Sequence, residues 1–386
     1  MRILGMISGT SHDGIDVAVV DLVERDGTLE LALRHRDAVA YEPGLRSRII
    51  AALPPASVDL AEVCALDTLI GQAFAEAAAA ACDAAGAVDL IVSHGQTVFH
   101  WVEGDHALGT LQLGQPAWIA ERTGVAVVSD VRSRDIAAGG HGAPLASTID
   151  ALLLAGRPGR PAALNLGGIS NATVVDPESV RAWDIGPANA LLDAVIVDRS
   201  AHPAGYDDGG ALAAAGTVDE ALLAVLLEEP YYRVAPPKST GKELFHLDYV
   251  NDALRRSGRE DIATNDLLAT LARLTIVTVA DALVADGVTE IFVSGGGAHN
   301  PVLLGGIAEL TGAILAPTDA LGLPGDDKEA VLMAVIGWMT VHGVPSSIPT
   351  ATGARGSRLL GSITPGARPL AFPAPVTAPT ALRVVD

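Results

Sequence analysis

The sequence predicts an α/β protein of two domains. Three observations carry this. The chain has 386 residues, long enough for two domains or one large one. Short β-branched runs alternate with longer segments of helical periodicity. A strand, glycine turn, strand unit occurs at the N-terminus and again after Pro161, as duplicated halves would show.

In order, Ile3 to Ile7 reads as a strand, Ser8 to Gly14 as a glycine turn, and Ile15 to Leu22 as a returning strand, with a third from Leu29 to Val39. Leu60, Val63, Cys64, Leu66, Ile70 and Phe74 recur at helical spacing, so Asp59 to Ala85 reads as one long helix, with Asp59 as N-cap and Gly86 as its stop. Leu90 to Val92 forms a short buried strand leading to Ser93-His94-Gly95-Gln96-Thr97, and Val125 to Val128 another leading to Asp130 to Asp135. Strands that end in polar residues are where α/β proteins place binding sites. The two prolines and two glycines of Gly156 to Pro161 cannot continue a helix and mark a linker, dividing the chain into domains 1–158 and 159–386.

Beyond it, Ala162 to Leu166 is a strand, Gly167 to Asn171 a turn, and Ala172 to Val175 a returning strand. Helices follow near Val218 to Glu228, Leu247 to Ser257 and Ile262 to Asp286. Then come the strand Glu290 to Val293, a triple glycine, and a helix from Pro301 to Leu310. The proline-rich tail from Ser362 reads as an irregular surface segment.

Composition removes several function classes. With 49% hydrophobic and 18% charged residues the chain is neither disordered nor collagen-like. Lys plus Arg number 25 against 46 Asp plus Glu, a net charge of −21 that repels phosphate backbones and anionic lipid and argues against nucleic acid or a membrane as partner. Cys64 and Cys82 are the only cysteines, without a C-x-x-C pair, so neither a disulfide framework nor a structural zinc is expected, and both read as buried small side chains. Met1 to Leu4 run straight into the first turn without signal-peptide features, and no run of about 18 uncharged apolar residues is present. The expected compartment is the cytoplasm, where ATP is at hand.

The chemistry concentrates in three glycine turns, each after an apolar strand: Gly9 to Gly14, Gly167 to Asn171, and Gly295 to Asn300. Glycine lets the backbone approach a ligand and aim N–H groups at phosphate, while Ser and Thr add hydroxyl donors. One such turn is ordinary, but three at strand ends with acids nearby point to a nucleotide cleft. There is no G-x-x-x-x-G-K-[ST], no G-x-G-x-x-G after a strand, no G-x-S-x-G and no H-E-x-x-H. A duplicated phosphate clamp followed by a glycine-rich adenosine-type loop resembles the sugar kinase, Hsp70 and actin superfamily.

Gly5-Met6-Ile7-Ser8-Gly9-Thr10-Ser11-His12-Asp13-Gly14-Ile15-Asp16 is similar to the signature of the anhydro-N-acetylmuramic acid kinases, and further blocks follow in that family's order. They are Ser93 to Thr97, Asp130 to Asp135 with Gly139 to Leu145, Asn165 to Asn171, Trp183 to Asn189, Pro237 to Gly241, Gly295 to Asn300 and Gly325 to Ala330. The resemblance reaches to about Gly366. It implies a two-domain actin-like ATPase fold (ribonuclease H-like) with an interdomain cleft, the C-terminal helix and tail packing near the hinge. It also implies a homodimer, ATP as co-substrate and Mg²⁺. The implied activity uses ATP and water to open the 1,6-anhydro bridge of a muramyl sugar while phosphorylating O6, giving N-acetylmuramic acid 6-phosphate in peptidoglycan recycling. The alternatives are a kinase for another anhydro sugar such as levoglucosan and a non-catalytic regulatory relative.

By match to the family motif, Asp184 is the base that takes a proton from water, and Glu329 touches the sugar; each could otherwise cap a turn or helix. Gly9, Thr10, Ser11, His12, Asp13, Gly14, Ile15 and Asp16 form the first phosphate loop, with Asp13 as the choice for Mg²⁺. Gly167, Gly168 and Asn171, Lys238, and Gly295, Gly296, Gly297 and Asn300 complete the nucleotide set. His94, Gln96, Thr97 and Arg134 are placed to bond the sugar. Arg134 suits a carboxylate, Arg132 is an equally simple candidate, and either could instead pair with Asp130 or Asp135. Three positions depart from the family: Ile185 for Thr, Ala188 for Gly and His141 for Gln, the first two flanking Asp184.

Overall fold

The computed structural model describes residues 1–104, 106–176, 179–241 and 244–385. Two compact units make up the chain: residues 1–155 with 321–386, and residues 156–320. The division falls inside the Gly156 to Pro161 linker region, but the second domain does not run to the C-terminus as expected. The helix Lys328–Val341 is apolar on nearly every face, so it needs cover all round, and it lies in the same core as Ile3, Ile7 and Val92 of the first unit.

In the first unit β1 (Arg2–Ser8), β2 (Gly14–Arg25) and β3 (Thr28–Ala40) form an antiparallel meander. On the other side of β1 lie β4 (Leu90–Glu103) and β6 (Val127–Ser129), both parallel to it, while β5 (His106–Leu113) folds back on β4. Period-two alternation gives the sheet two buried faces. Ile3 and Ile7 meet the helix Lys328–Val341, whereas Leu4 and Met6 meet Ile70 and Phe74 of the helix Leu60–Ala85. Asp59 caps the latter, accepting from the Glu62 N–H at 2.8 Å.

The second unit repeats this order. The strands β7 (Pro161–Leu166), β8 (Ile169–Val175) and β9 (Val180–Pro187) make the meander, and β10 (Glu290–Ser294) and β11 (Ile314–Pro317) extend it in parallel beyond β7. Its core gathers around the helix Thr264–Ala285. This helix and Leu60–Ala85 are long and apolar enough to cross a membrane by length and composition, and both supply side chains to unit cores.

Three local expectations need correction. The strand from Leu90 continues through His94 to Thr97 and on to Glu103, because the polar side chains of His94 and Gln96 are buried with internal hydrogen bonds, and Gly95, at φ 70°, absorbs the irregularity. The tail is not wholly irregular: β12 (Ser362–Thr364) pairs with β6, and β13 (Ala381–Val385) adds a parallel edge to β3. Cys64 is exposed and Cys82 half-buried, since the helix Leu60–Ala85 turns other positions toward the sheet.

Candidate active site

The first glycine turn is held from below. Ser8 Oγ lies 2.7 Å from both the Gly14 carbonyl and Gln96 Oε1, its one proton serving two acceptors, and Gln96 Nε2 donates to the Gly9 carbonyl at 3.2 Å. Gln96 thus fixes the loop from the neighbouring strand. His12 sits at φ 54°, a left-handed conformation uncommon for a non-glycine residue, with its carbonyl held by Arg46 Nε at 3.0 Å. Gly9, Thr10, Ser11 and Asp13 stand at the open end of the turn, where Ser11 Oγ donates to Asp13 Oδ1 at 2.6 Å. Ile15 points into the core. Asp16 is half-buried among acids: burial first, then Glu329, Asp13, Asp326 and Asp327, push its carboxyl up to about 6.

Glu329 is exposed in the first turn of the helix Lys328–Val341, and two devices place it. A Cβ on Gly5 would lie 2.0 Å from the Ala330 carbonyl oxygen, so the glycine is what lets β1 and the helix touch backbone to backbone. Beside Glu329, buried Lys328 pairs with buried Asp150 at 3.2 Å, anchoring the helix start.

Of the two arginines beyond β6, Arg132 rather than Arg134 enters the interior. It occupies the N-cap position of the short helix Ser133–Ala137; Arg134 lies within that helix, exposed. Arg132 Nε donates to His94 Nε2 at 2.7 Å and Nη1 to the Gly142 carbonyl at 2.6 Å. His94 is fully buried, and with Nδ1 3.0 Å from the Gly95 carbonyl both ring nitrogens are engaged within the protein. Burial, then the Arg132 charge, holds the His94 imidazole down at about 3; burial lowers Arg132 to about 10, with Glu329 opposing. Neither arginine pairs with Asp130 or Asp135. Asp135 instead accepts from the Gly142 N–H and Thr352 Oγ1, each at 2.9 Å, and a Cβ on Gly140 would strike it at 2.2 Å, which explains the Gly-Gly-His-Gly run. Thr97 is half-buried, its hydroxyl accepting from Gln112 Nε2 at 3.1 Å.

In the second unit Asp184 lies on β9 opposite Asn171 of β8. Its Oδ2 accepts from Ser239 Oγ at 2.7 Å and from the Thr240 N–H at 3.0 Å, while its backbone is clasped by the Lys238 carbonyl and the Tyr231 hydroxyl. Lys238 belongs to this arrangement. Its ammonium donates to the Tyr231 carbonyl at 2.9 Å and sits over the Tyr231 ring. Ile185 and Ala188 are buried in the apolar core, and Ile185 points to the sheet face opposite Asp184, so the missing hydroxyl does not alter the surroundings of that carboxylate.

A cavity of about 420 Å³ opens elsewhere in this unit. Gly296 and Asn300 of the third glycine turn line it with Asn189, Tyr206, Asp207 and Asp208. Gly295, at φ 81°, and Gly297 do not line it but carry the turn close over β7, where side chains would meet Asn165 and Leu166 at 2.5 and 2.6 Å. The Gly167 and Gly168 carbonyls accept the N–H groups of Asn189 and Ala190, fixing the wall that starts at Asn189. The Tyr206 to Gly210 loop was not singled out by motif; its Asp-Asp-Gly-Gly run was the available signal, and Asp207 ties it down by accepting from the Leu212 and Ala213 N–H groups at 2.8 and 3.0 Å.

Comparison with known proteins bears on this arrangement. The family model described as anhydro-N-acetylmuramic acid kinase matches residues 1–366. A protein of that name from Streptomyces coelicolor is 54% identical over 391 residues, covering 100% of this chain and 99% of its own length. Another from Rhodococcus erythropolis is 51% identical and covers 96% of each. Among solved structures, a ROK family glucokinase from Streptomyces griseus in complex with glucose and AMPPNP is 14% identical, with 87% of this chain and 98% of that chain covered and a TM-score of 0.39.

Proposed function

The chain belongs to the anhydro-N-acetylmuramic acid kinase family, and from that membership we propose how its own residues carry out the reaction. The activity is ATP-dependent phosphorylation of 1,6-anhydro-N-acetylmuramic acid in peptidoglycan recycling. The repeated strand order of the two units supports the actin-like, ribonuclease H-like reading of the fold.

Asp184 is the base. It takes one proton from a water whose oxygen bonds to the anomeric carbon; the C1–O6 bond breaks, O6 bonds to the γ-phosphorus, and ADP departs with the electrons of the broken P–O bond. The observation that carries this role is the pair of donors on Asp184 Oδ2, which fixes the carboxylate's plane. Glu329 contacts the sugar. Arg132, in place of Arg134, receives the lactyl carboxylate on the guanidinium edge that neither His94 nor Gly142 uses.

In the first unit the glycine turn is assigned to nucleotide phosphate; in the second, taken by itself, the cavity at Gly296 is assigned to nucleotide, with Tyr206 and Asn300 flanking the space for base and ribose. Mg²⁺ fits beside Asp13 and Asp16, because burial first and then the crowding acids hold the Asp16 carboxyl up, and a cation relieves the repulsion among them. Among the described residues no three acidic, His or Cys groups form a metal cage, in keeping with an ion that keeps its waters and leans on substrate phosphates. When bound, it neutralises charge on the transferring phosphoryl group. The same reading includes a cytoplasmic location and a homodimer.

The test is incubation with Mg²⁺-ATP and the anhydro sugar in ¹⁸O-labelled water, analysed early by mass spectrometry, with levoglucosan in parallel. One label in a 6-phosphorylated muramic acid is expected. An unlabelled product, or turnover of levoglucosan alone, refutes the reading. Asp184→Asn should abolish turnover while ATP still binds, and retained turnover removes Asp184 from the base role.

A further inference from the structure

We propose that His94 is a positioning residue that sets selectivity for carboxylate-bearing sugars, acting through the hydrogen bond from Arg132 Nε to its Nε2. This deepens the assignment of Arg132 to the substrate carboxylate and rests on it.

The argument begins with donors and acceptors. A guanidinium has only N–H groups to offer, so at 2.7 Å the Arg132 Nε–H must donate and His94 Nε2 must accept. The ring is then neutral with its proton on Nδ1, which donates to the Gly95 carbonyl at 3.0 Å. One imidazole is thus locked at both nitrogens inside the protein, in a single tautomer.

The arginine shows the complementary pattern. Its Nε meets an imidazole and its Nη1 a carbonyl, both neutral, and Nη2 has no hydrogen-bond partner among the described residues. Among the described residues no carboxylate is ion-paired with it. Arg132 is half-buried, and an arginine drawn partly out of water is ordinarily paired with an acid, because neutral acceptors return less than a carboxylate does. Glu329 is near enough to favour the cation without touching it. Among the described residues Glu329 is the acid whose charge reaches it. Such a site lacks an anion, and the open Nη2 edge is where a substrate carboxylate completes it.

His94 determines whether that edge is aimed. Without its acceptor, an arginine held only through Nη1 rotates about the remaining bond, and the fixed fork that distinguishes a carboxylate from a hydroxyl is lost.

The experiment is steady-state kinetics on the whole chain with His94→Phe, His94→Asn, His94→Gln and Arg132→Met. The readouts are kcat and KM for 1,6-anhydro-N-acetylmuramic acid and the competitive inhibition constant of 1,6-anhydro-N-acetylglucosamine, which lacks the lactyl group. Phe removes both hydrogen bonds; Asn keeps a donor for Gly95 but cannot reach Arg132; Gln can present an acceptor there. His94→Phe and His94→Asn should raise KM for the muramyl sugar about tenfold, the size of a misaligned charge-assisted hydrogen bond, with the inhibition constant of the neutral sugar unchanged. His94→Gln should restore KM to within about threefold of wild type by the same arithmetic. Should His94→Phe not fold, the Asn and Gln pair carries the comparison alone. Equal losses for both sugars mean a merely structural histidine and overturn the proposal, as does an unchanged KM. If Arg132→Met raises the muramyl KM while the His94 variants do not, positioning fails and the carboxylate assignment stands. An Arg132→Met enzyme with unaltered KM removes the assignment itself.

Discussion

Replacing Gly5 by alanine should displace the helix that carries Glu329, and the cost can be worked from the contact. The added Cβ would lie 2.0 Å from the Ala330 carbonyl oxygen and 2.7 Å from the Ala334 nitrogen. Both are backbone atoms of a helix buried on nearly all faces, so no side-chain rotation relieves the overlap. The helix must retreat by about 1 Å before ordinary contact returns, and overpacking of this kind costs about 1–3 kcal/mol. Alanine's lower entropy loss offsets only about 0.5–1 kcal/mol of that. Because Glu329 directly precedes Ala330, it moves with the helix, and a misplacement of about 1 Å can cost around a hundredfold in rate.

Gly9, four residues on in the same motif, is the internal control: its Cβ would meet nothing closer than Ser11 Oγ at 3.9 Å. Urea unfolding should therefore show a lowered midpoint for Gly5→Ala and one within about 0.5 kcal/mol of wild type for Gly9→Ala. Kinetics should show kcat/KM for the sugar falling in Gly5→Ala. Equal stabilities for the two variants, or a fall confined to Gly9→Ala, would refute the close-approach argument.

Other outcomes follow from the same geometry. Ser239→Ala removes the 2.7 Å donor to Asp184 Oδ2 and leaves the Thr240 N–H; a carboxylate that loses a donor holds its proton more tightly, so the acid limb of the pH–rate profile should move up and kcat fall about tenfold, with KM for ATP unchanged. In the protein without nucleotide, Asp16 at about 6, against 3.8 unfolded, retains its proton longer in the folded state, so stability drops as pH rises through about 4 to 6. Asp16→Asn should thus stabilise by about 1 kcal/mol at pH 7, the two-unit ceiling discounted for partial exposure, and bring no gain below pH 4, as read by urea unfolding at the two pH values. Lys328→Met removes the cation paired with buried Asp150 and should cost about 3–5 kcal/mol by chemical denaturation, with Lys328→Met/Asp150→Leu recovering most of it.

What was legible in the sequence was local. The helix Leu60–Ala85 announces itself through its spacing and the Asp59 cap, and the glycine turns follow strands whose β-branched runs are unambiguous. The returning C-terminal segment was not legible, because no local pattern says which sheet will cover an all-apolar helix such as Lys328–Val341. Polar residues inside β4 looked like a strand end, since only the finished core supplies the acceptors that let His94 and Gln96 be buried. Between Arg132 and Arg134 the decision lies in a turn of the short helix Ser133–Ala137, which sends one inward and the other to solvent. Lys238 and Ser239 form part of a recognisable block, yet their engagement with Tyr231 and Asp184 depends on residues seven and 55 positions away.

The polar contacts of the first unit also give a reason for its C-terminal segment to return. Thr352 Oγ1 bonds Asp135, Asp135 takes the Gly142 N–H, the Gly142 carbonyl takes Arg132, and Arg132 reaches His94. His94 bonds the Gly95 carbonyl, and the next residue, Gln96, holds Gly9 at the mouth of the first phosphate turn. Every link has both partners in the same unit, and half are fully buried, where a lost partner is costly. Arg132 and the first glycine turn, to which sugar and phosphate are assigned above, are thus braced from one side by a segment more than two hundred residues further along the chain, a distance in sequence that the 2.9 Å bond between Thr352 and Asp135 closes. Were that segment to fold with the second unit, Asp135 would be left buried with its Oδ1 unpaired, and the loop that orients Arg132 would lose its fixed end.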